Sequence, residues 1–199
     1  MKTFALSAVL AGVMGVVAFA PQAKAGDGTI TFNGQIKDTT CTITGGGAAT
    51  GTGDITVTLP TVSSSALSSD GKTAGDTNFS LVLGGGTNCT NGKTAALWVE
   101  TAATPGLDSS TGALKNLAPG GAGNVQVRMI NPANNQPINL GINAMVTNGA
   151  SVVSTNNQPA ATVTGNTATL NYAAQYLATG GAATAGAVST YLTYSIQYN

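Results

Sequence analysis

Two cysteines, seven acidic residues, seven basic residues and no histidine are the side chains from which this 199-residue chain could build chemistry beyond that of hydroxyls and amides. Nucleophilic catalysis needs a base to activate Ser or Thr. Without His, the remaining bases are isolated lysines in polar, glycine-rich stretches, and no triad is visible. Glycoside cleavage needs paired carboxylates. Here Asp27 and Asp38 flank the first alternating segment, and Asp70, Asp76 and Asp108 stand in apparent loops. Two thiols with no imidazole and only scattered carboxylates do not fill a tetrahedral zinc shell, so no metal is expected. Gly86 to Thr94 ends like a phosphate-binding loop in Gly92-Lys93-Thr94, but five residues separate Gly86 from Gly92 where that loop needs four, and Cys89 interrupts it. The charges are singletons, which offer neither a basic stripe for nucleic acid nor an acidic tail. The expectation is no enzyme, no cofactor and no nucleic-acid partner.

The use of the cysteines depends on the compartment, which the first 25 residues address. Lys2 supplies a positive start, Phe4 to Ala20 is uncharged, and Ala23-Lys24-Ala25 is a small-x-small cleavage site before Gly26. This reads as a secretory signal at residues 1–25 and not as a membrane anchor, since the stretch is short and no basic stop-transfer cluster follows. Cleavage leaves 174 residues with a net charge of −2 and no transmembrane anchor in the mature chain. In an oxidising compartment the even pair Cys41 and Cys89 should be bonded. Closing that loop of 48 residues is worth about 4 kcal/mol of chain entropy. Asn78-Phe79-Ser80 and Asn88-Cys89-Thr90 match the glycosylation sequon, which decides nothing in a chain rich in Asn and Thr.

The elements that would hold these residues alternate with period two. Thr29 to Ile36 puts Ile30, Phe32, Gly34 and Ile36 on one face and Thr, Thr, Asn and Gln on the other. Asp54–Leu59, ended by Pro60, behaves the same way, and Phe79–Leu83 and Ala95–Thr101 form the next pair. Val125–Ile130 sets Val125, Val127 and Met129 against Gln126 and Arg128. Further strands are expected at Ile138–Ile142, Val152–Val153, Ala161–Val163, Thr167–Leu177 and Val188–Tyr198. Gly45-Gly46-Gly47, Gly84-Gly85-Gly86, Asn148-Gly149, Gly165-Asn166 and Gly180-Gly181 punctuate them as turns. With 27 glycines, 5% aromatic residues and no helical period after residue 25, the chain is expected to be an all-β sandwich of one domain.

The two ends carry the functional signal. The final segment aligns Val188, Thr190, Leu192, Tyr194, Ile196 and Tyr198 on one parity before Asn199, with nothing after it to cover the strand's edge. The opening segment alternates as cleanly and is joined to Cys41 by only Lys37-Asp38-Thr39-Thr40. In one reading the first strand folds back beside the last and completes a monomer. In the other it projects into a neighbour, which gives head-to-tail strand addition and an open filament.

At these residues the sequence resembles the pilins of the bacterial chaperone–usher pathway, the type 1 fimbrial major subunit family. Gly28 to Asp38 followed by Cys41-Thr42-Ile43 is similar to that family's N-terminal extension and first disulfide strand. Tyr172 to Gly180 and then Gly186 to Tyr198 are similar to its closing pair of strands. The family's penultimate Tyr is matched by Tyr198, and its Gly fourteenth from the C-terminus by Gly186. The resemblance implies an incomplete immunoglobulin-like β-sandwich at residues 39–199, lacking its final strand, and a donor extension at residues 26–38. A periplasmic chaperone would grip Gly186, Val188, Leu192, Tyr194, Ile196, Tyr198 and the Asn199 carboxylate. At an outer-membrane usher, the Ile30, Phe32, Gly34 and Ile36 face of another subunit would replace it.

Burying Ile, Phe and Ile at about 1.5–3 kcal/mol each makes such a joint durable before any ladder hydrogen bond forms. Gly34, lacking a Cβ, would let the donor backbone pass close over a bulky groove residue. The resemblance also implies export through the periplasm to a surface fimbria and a homopolymer of pilin subunits that supports cell adhesion. Because a tip adhesin would add a lectin domain and lack the extension, the expected place is the rod, with a minor or adaptor subunit second. Two other classes stay open: a secreted monomeric carbohydrate-binding β-sandwich, which would need an aromatic platform, and a β-sandwich hydrolase, which would need a convergent acidic or nucleophilic site.

Overall fold

Phe79, Leu81 and Leu83 alternate with Ser80 and Val82, and burial follows the same beat: the first three are 9%, 5% and 0% exposed. That beat recurs along much of the chain and assembles two facing sheets. A computed structural model describes residues 41–84, 89–143, 145–146, 152–153 and 156–198. The signal, the extension with Ile30, Phe32, Gly34 and Ile36, and the terminal Asn199 lie outside the described residues. In chain order the strands are β1 (Thr42–Gly47), β2 (Ala49–Thr50), β3 (Thr56–Val57), β4 (Thr73–Gly84), β5 (Thr94–Val99), β6 (Leu107–Asp108), β7 (Ala113–Lys115), β8 (Val125–Asn131), β9 (Gln136–Pro137), β10 (Met145–Val146), β11 (Val152–Val153), β12 (Ala160–Thr162), β13 (Ala168–Ala178) and β14 (Tyr194–Tyr198). Two 3-10 turns, Ser64–Leu67 and Thr101–Ala103, are the helical elements among the described residues.

A seven-stranded sheet runs β1-β4-β13-β8-β7-β6, with β9 beside β8; a three-stranded sheet runs β12-β5-β14; β2–β3 and β10–β11 are ribbons. Every pairing is antiparallel. Leu81 and Leu83 of β4, Leu170 and Tyr172 of β13 and Met129 of β8 meet Ala95, Leu97 and Val99 of β5 in one buried cluster. Tyr172 stacks on Phe79 with ring centroids 5.4 Å apart. The Cys41–Cys89 disulfide is present, with Cα atoms 4.5 Å apart, and ties the start of β1 to the loop between β4 and β5.

Four expectations need correction. Gly45-Gly46-Gly47 is the second half of β1, in register with Leu81, Ser80 and Phe79, and the glycines answer crowding. A Cβ on Gly45 would stand 2.8 Å from the Ala49 carbonyl carbon and from the Thr50 amide, where the chain doubles back. Ile138–Ile142 is not a strand, although Ile138 and Leu140 are buried. Its amides scatter, Ile138 to Met129 O, Asn139 to Asn156 O and Leu140 to Gly112 O, while Asn139 Oδ1 takes the Gly141 amide. Gln126 is buried despite its polar parity, because Thr111 Oγ1 donates to its Oε1 at 2.7 Å and its Nε2 donates to Asp108 Oδ2 at 2.8 Å. Burial alternates from Val188 to Ile196, but only Tyr194–Tyr198 is laddered.

Candidate functional site

The segment 188–193 shows why it fails to join a ladder. In an extended chain the amide and carbonyl of one residue point to one side and those of the next to the other. Ser189 and Thr193 face the chain at residues 100–117: their amides donate to Asn116 Oδ1 (2.9 Å) and Thr104 Oγ1 (3.1 Å), and their carbonyls accept from Leu117 N (2.8 Å) and Glu100 N (2.9 Å). Val188, Thr190 and Leu192 present their backbone groups to the opposite side, where none has a hydrogen-bond partner among the described residues. That is an open strand edge.

Facing this edge is the segment Ile55–Leu59, where Ile55, Val57 and Leu59 are half-buried and Thr56 and Thr58 exposed. Between the two lips lies a groove of about 590 Å³, with Leu81, Leu97, Leu114, Val127 and Met129 among the residues lining it. A second hollow of about 340 Å³ adjoins it and shares Tyr176 and Val188, with Val62 and Gly186 at its rim. Side chains that a closed sandwich would bury stay partly exposed here. Ile55, Val57, Leu59, Leu192, Tyr194 and Ile196 all pack on the main core without being covered.

The groove is apolar and holds little that could react. Tyr194 donates its hydroxyl to Gly53 O at 2.6 Å; burial, then the nearby Asp54 charge, pushes its ionisation up, so it remains a donor. The Thr190 hydroxyl oxygen is buried without a hydrogen-bond partner among the described residues. Asp108 and Asp76 are engaged elsewhere. Asp108 is held below the ordinary carboxylate range, chiefly by the Ser110 hydroxyl and amide. Gln175, its amide oriented to satisfy both neighbours, donates to Asp76 Oδ1 at 3.0 Å and accepts from Arg128 Nη2 at 2.8 Å. Of the tyrosines, Tyr172 is buried, Tyr176, Tyr194 and Tyr198 are half-buried, and Tyr191 is 56% exposed.

The predicted acceptor residues Val188, Leu192, Tyr194, Ile196 and Tyr198 therefore share one half-buried face, and the first three line the groove. Gly186 stands at its adjoining hollow with φ +156°, and an added Cβ would lie 2.5 Å from the Ala122 amide nitrogen, so only glycine fits. Sequence reading missed the opposite lip as a site. Its signal was the alternation of Ile55, Val57 and Leu59, which was read simply as a strand.

The family model described as "Type-1 fimbrial protein, A" matches residues 59–199. The chain is 42% identical over 178 residues to the major fimbrial subunit SMF-1 of Stenotrophomonas maltophilia (strain K279a), covering 89% of this chain and 95% of that one. It is 38% identical over 191 residues to the F17 fimbrial protein of Escherichia coli, covering 94% and 96%. The crystal structure of an antigen and type I fimbria protein from Burkholderia pseudomallei aligns at 26% identity and TM-score 0.46, over 72% of this chain and 81% of that one. The chain belongs to the type-1 fimbrial protein family of chaperone–usher pilins, all-β structural subunits of the cell-surface fimbria and not enzymes.

Proposed function

We propose that this chain is a rod-forming fimbrial subunit that polymerises by donor-strand exchange, its groove receiving the extension of a neighbouring copy. The observation that carries the reading is the open edge at Val188, Thr190 and Leu192 above an apolar groove. A strand laid there would gain ladder partners on its backbone and an apolar floor for alternate side chains.

The residues 26–38 are a matched occupant. Ile30 to Ile36 spans six residue steps, as does Val188 to Tyr194, and each span is about 20 Å when extended. Four inward positions, Ile30, Phe32, Gly34 and Ile36, thus meet a lip with four of its own. A relative named as a major fimbrial subunit, matched over nearly its whole length, favours the rod over a minor place. Before assembly, a periplasmic chaperone would hold the Gly186–Tyr198 edge and the Asn199 carboxylate, and an outer-membrane usher would exchange it for the extension. The signal at residues 1–25 would bring the chain to that compartment, and the finished fimbria would support adhesion.

Fibres sheared from producing cells and run unboiled on a denaturing gel should give a ladder of multimers that collapses on boiling. Deletion of residues 26–36 should abolish it. A lone monomer band with the intact chain would mean that the groove is filled from within the same molecule.

A further inference from the structure

A hollow of about 610 Å³ lies over β4 and β13, between the end of β1 at Gly47, the turn after β8 at Pro132 and the entry to β12 at Pro159. Phe79 is the one residue it shares with the donor groove. Asn78 and Ser80 of β4 and Thr169 and Asn171 of β13 line it, and Asn171 stands opposite Ser80 in the ladder. The four make a strip about 14 Å long and about 5 Å across. Asn78, Thr169 and Asn171 are exposed and Ser80 is half-buried, and none of the four side chains has a hydrogen-bond partner among the described residues. Gly46, beside Ser80 in β1, leaves that hydroxyl its room, since a Cβ there would stand 2.6 Å from Ser80 Oγ. Tyr172 also lines the hollow. It is 1% exposed, and its hydroxyl is buried with no partner among the described residues, an arrangement that costs stability until something accepts from it.

The lining selects the chemistry of an occupant. It contains no charged side chain, so an anion or a cation would find no counter-charge. An apolar ligand would strand the amides and hydroxyls. Each of those groups both donates and accepts, which matches a neutral polyol, and Pro132 and Pro159 offer surface to its C–H groups. We propose that this hollow is a saccharide site, in which a neutral sugar lies along Asn78, Ser80, Asn171 and Thr169 and takes the Tyr172 hydroxyl as a donor. Phe79 and Tyr172 are buried, so the sugar is held by hydrogen bonds and not by stacking on an open aromatic face. Each site is therefore weak, and a fibre that repeats it gains strength by multivalency. The site goes beyond the strand-exchange reading and rests on it only for the number of copies.

Saturation-transfer-difference NMR on sheared fibres reads such binding directly. The probes are the methyl glycosides of glucose, galactose, mannose and N-acetylglucosamine, with lactose, maltose and chitobiose, and methyl glucuronide as the charged control. At least one neutral sugar should receive saturation and the glucuronide none. Combining Ser80→Ala with Asn171→Ala should weaken the signal about fivefold or more, and Tyr172→Phe about threefold, with the fibre ladder unchanged. The tyrosine variant separates binding from folding, because removing an unpartnered buried hydroxyl should leave thermal stability equal or higher. No transfer to any neutral sugar, equal transfer to the glucuronide, or a signal that both variants keep overturns the site. If, in that event, Asn171→Cys resists a bulky maleimide until the fibres are boiled, the hollow is an interface between copies. A chain that gives no fibre ladder overturns the strand-exchange reading alone, and the same titration on the monomer then decides the site.

Discussion

Strand β13 and the segment 188–198 carry the same kind of sequence and meet opposite fates. In β13, Leu170 and Tyr172 are each 1% exposed, and the strand is paired with β4 on one side and β8 on the other. In 188–198, Leu192, Tyr194 and Ile196 alternate as regularly but stay half-buried, with β5 as the ladder partner of the last five residues and loops behind the rest. The difference is not in residue type. Alternation makes one face of a strand apolar, while its burial requires a neighbour on each side. The closed half has that neighbour on both sides within the described residues, and along Val188–Leu192 the open half has none on its groove side.

The largest test of this contrast is removal of the disulfide, which belongs to the closed half because Cys41 leads into β1 and Cys89 follows β4. Replacing both cysteines with Ser should lower the urea-unfolding stability of the mature chain by about 4 kcal/mol. Next comes a pair of truncations of one residue type. Leu83→Ala, at 0% exposure in the closed half, should cost about 3 kcal/mol in the monomer. Leu192→Ala, at the groove, should cost the monomer less than about 1 kcal/mol, yet lower the temperature at which fibre ladders dissociate. Equal monomer losses for the two leucines would erase the distinction between the halves.

Gly186→Ala ranks below the disulfide and Leu83→Ala in its cost to the monomer. A methyl group 2.5 Å from the Ala122 nitrogen, on a backbone at φ +156°, should cost about 2 kcal/mol. The displaced segment should also weaken the adjoining groove, so the variant should be depleted from fibres relative to total cellular protein on a quantitative blot.

The legible part of the molecule was the part in which burial and backbone pairing agree. Phe79-Leu81-Leu83, Ala95-Leu97-Val99 and the first half of the long strand, Ala168-Leu170-Tyr172, could be read from period two, because each pairs along the whole run that it buries. Where the two separate, the pattern misleads. Ile138 and Leu140 are buried like strand residues, but the amides of Ile138, Asn139 and Leu140 go to three unrelated segments, a consequence of tertiary placement that no local period encodes. Gly45 to Gly47 failed in the reverse sense: glycine there meets a close backbone approach, which composition cannot distinguish from a turn. The strands Leu107–Asp108 and Ala113–Lys115 are too short to show a period. Of the groove, the edge residues were visible in the sequence and the opposite lip was not, since facing across a gap is a property of the fold.

The smallest expected effect lies in the closed half and concerns pH. Asp108 accepts from the Ser110 hydroxyl and amide and from Gln126, and Lys115 stands 3.8 Å away. These contacts favour the ionised form, so its value in the folded chain lies below that of the unfolded chain. By linkage, a carboxylate depressed on folding stabilises the native state above its unfolded value, near pH 4, and loses that contribution as pH falls through the folded value. Asp108 is only half-buried and its Lys115 partner is exposed, so the contribution is small and screened by salt. Asp108→Asn should therefore lower the urea midpoint slightly at pH 7 and leave it equal to wild type near pH 2. The edge at Val188–Leu192 has no carboxylate of its own, so fibre dissociation temperature should be the same for both proteins at both pH values. A midpoint gap that widens in acid would reverse the assignment of Asp108, and a change in fibre dissociation would show that this corner of the closed sheet is coupled to the groove.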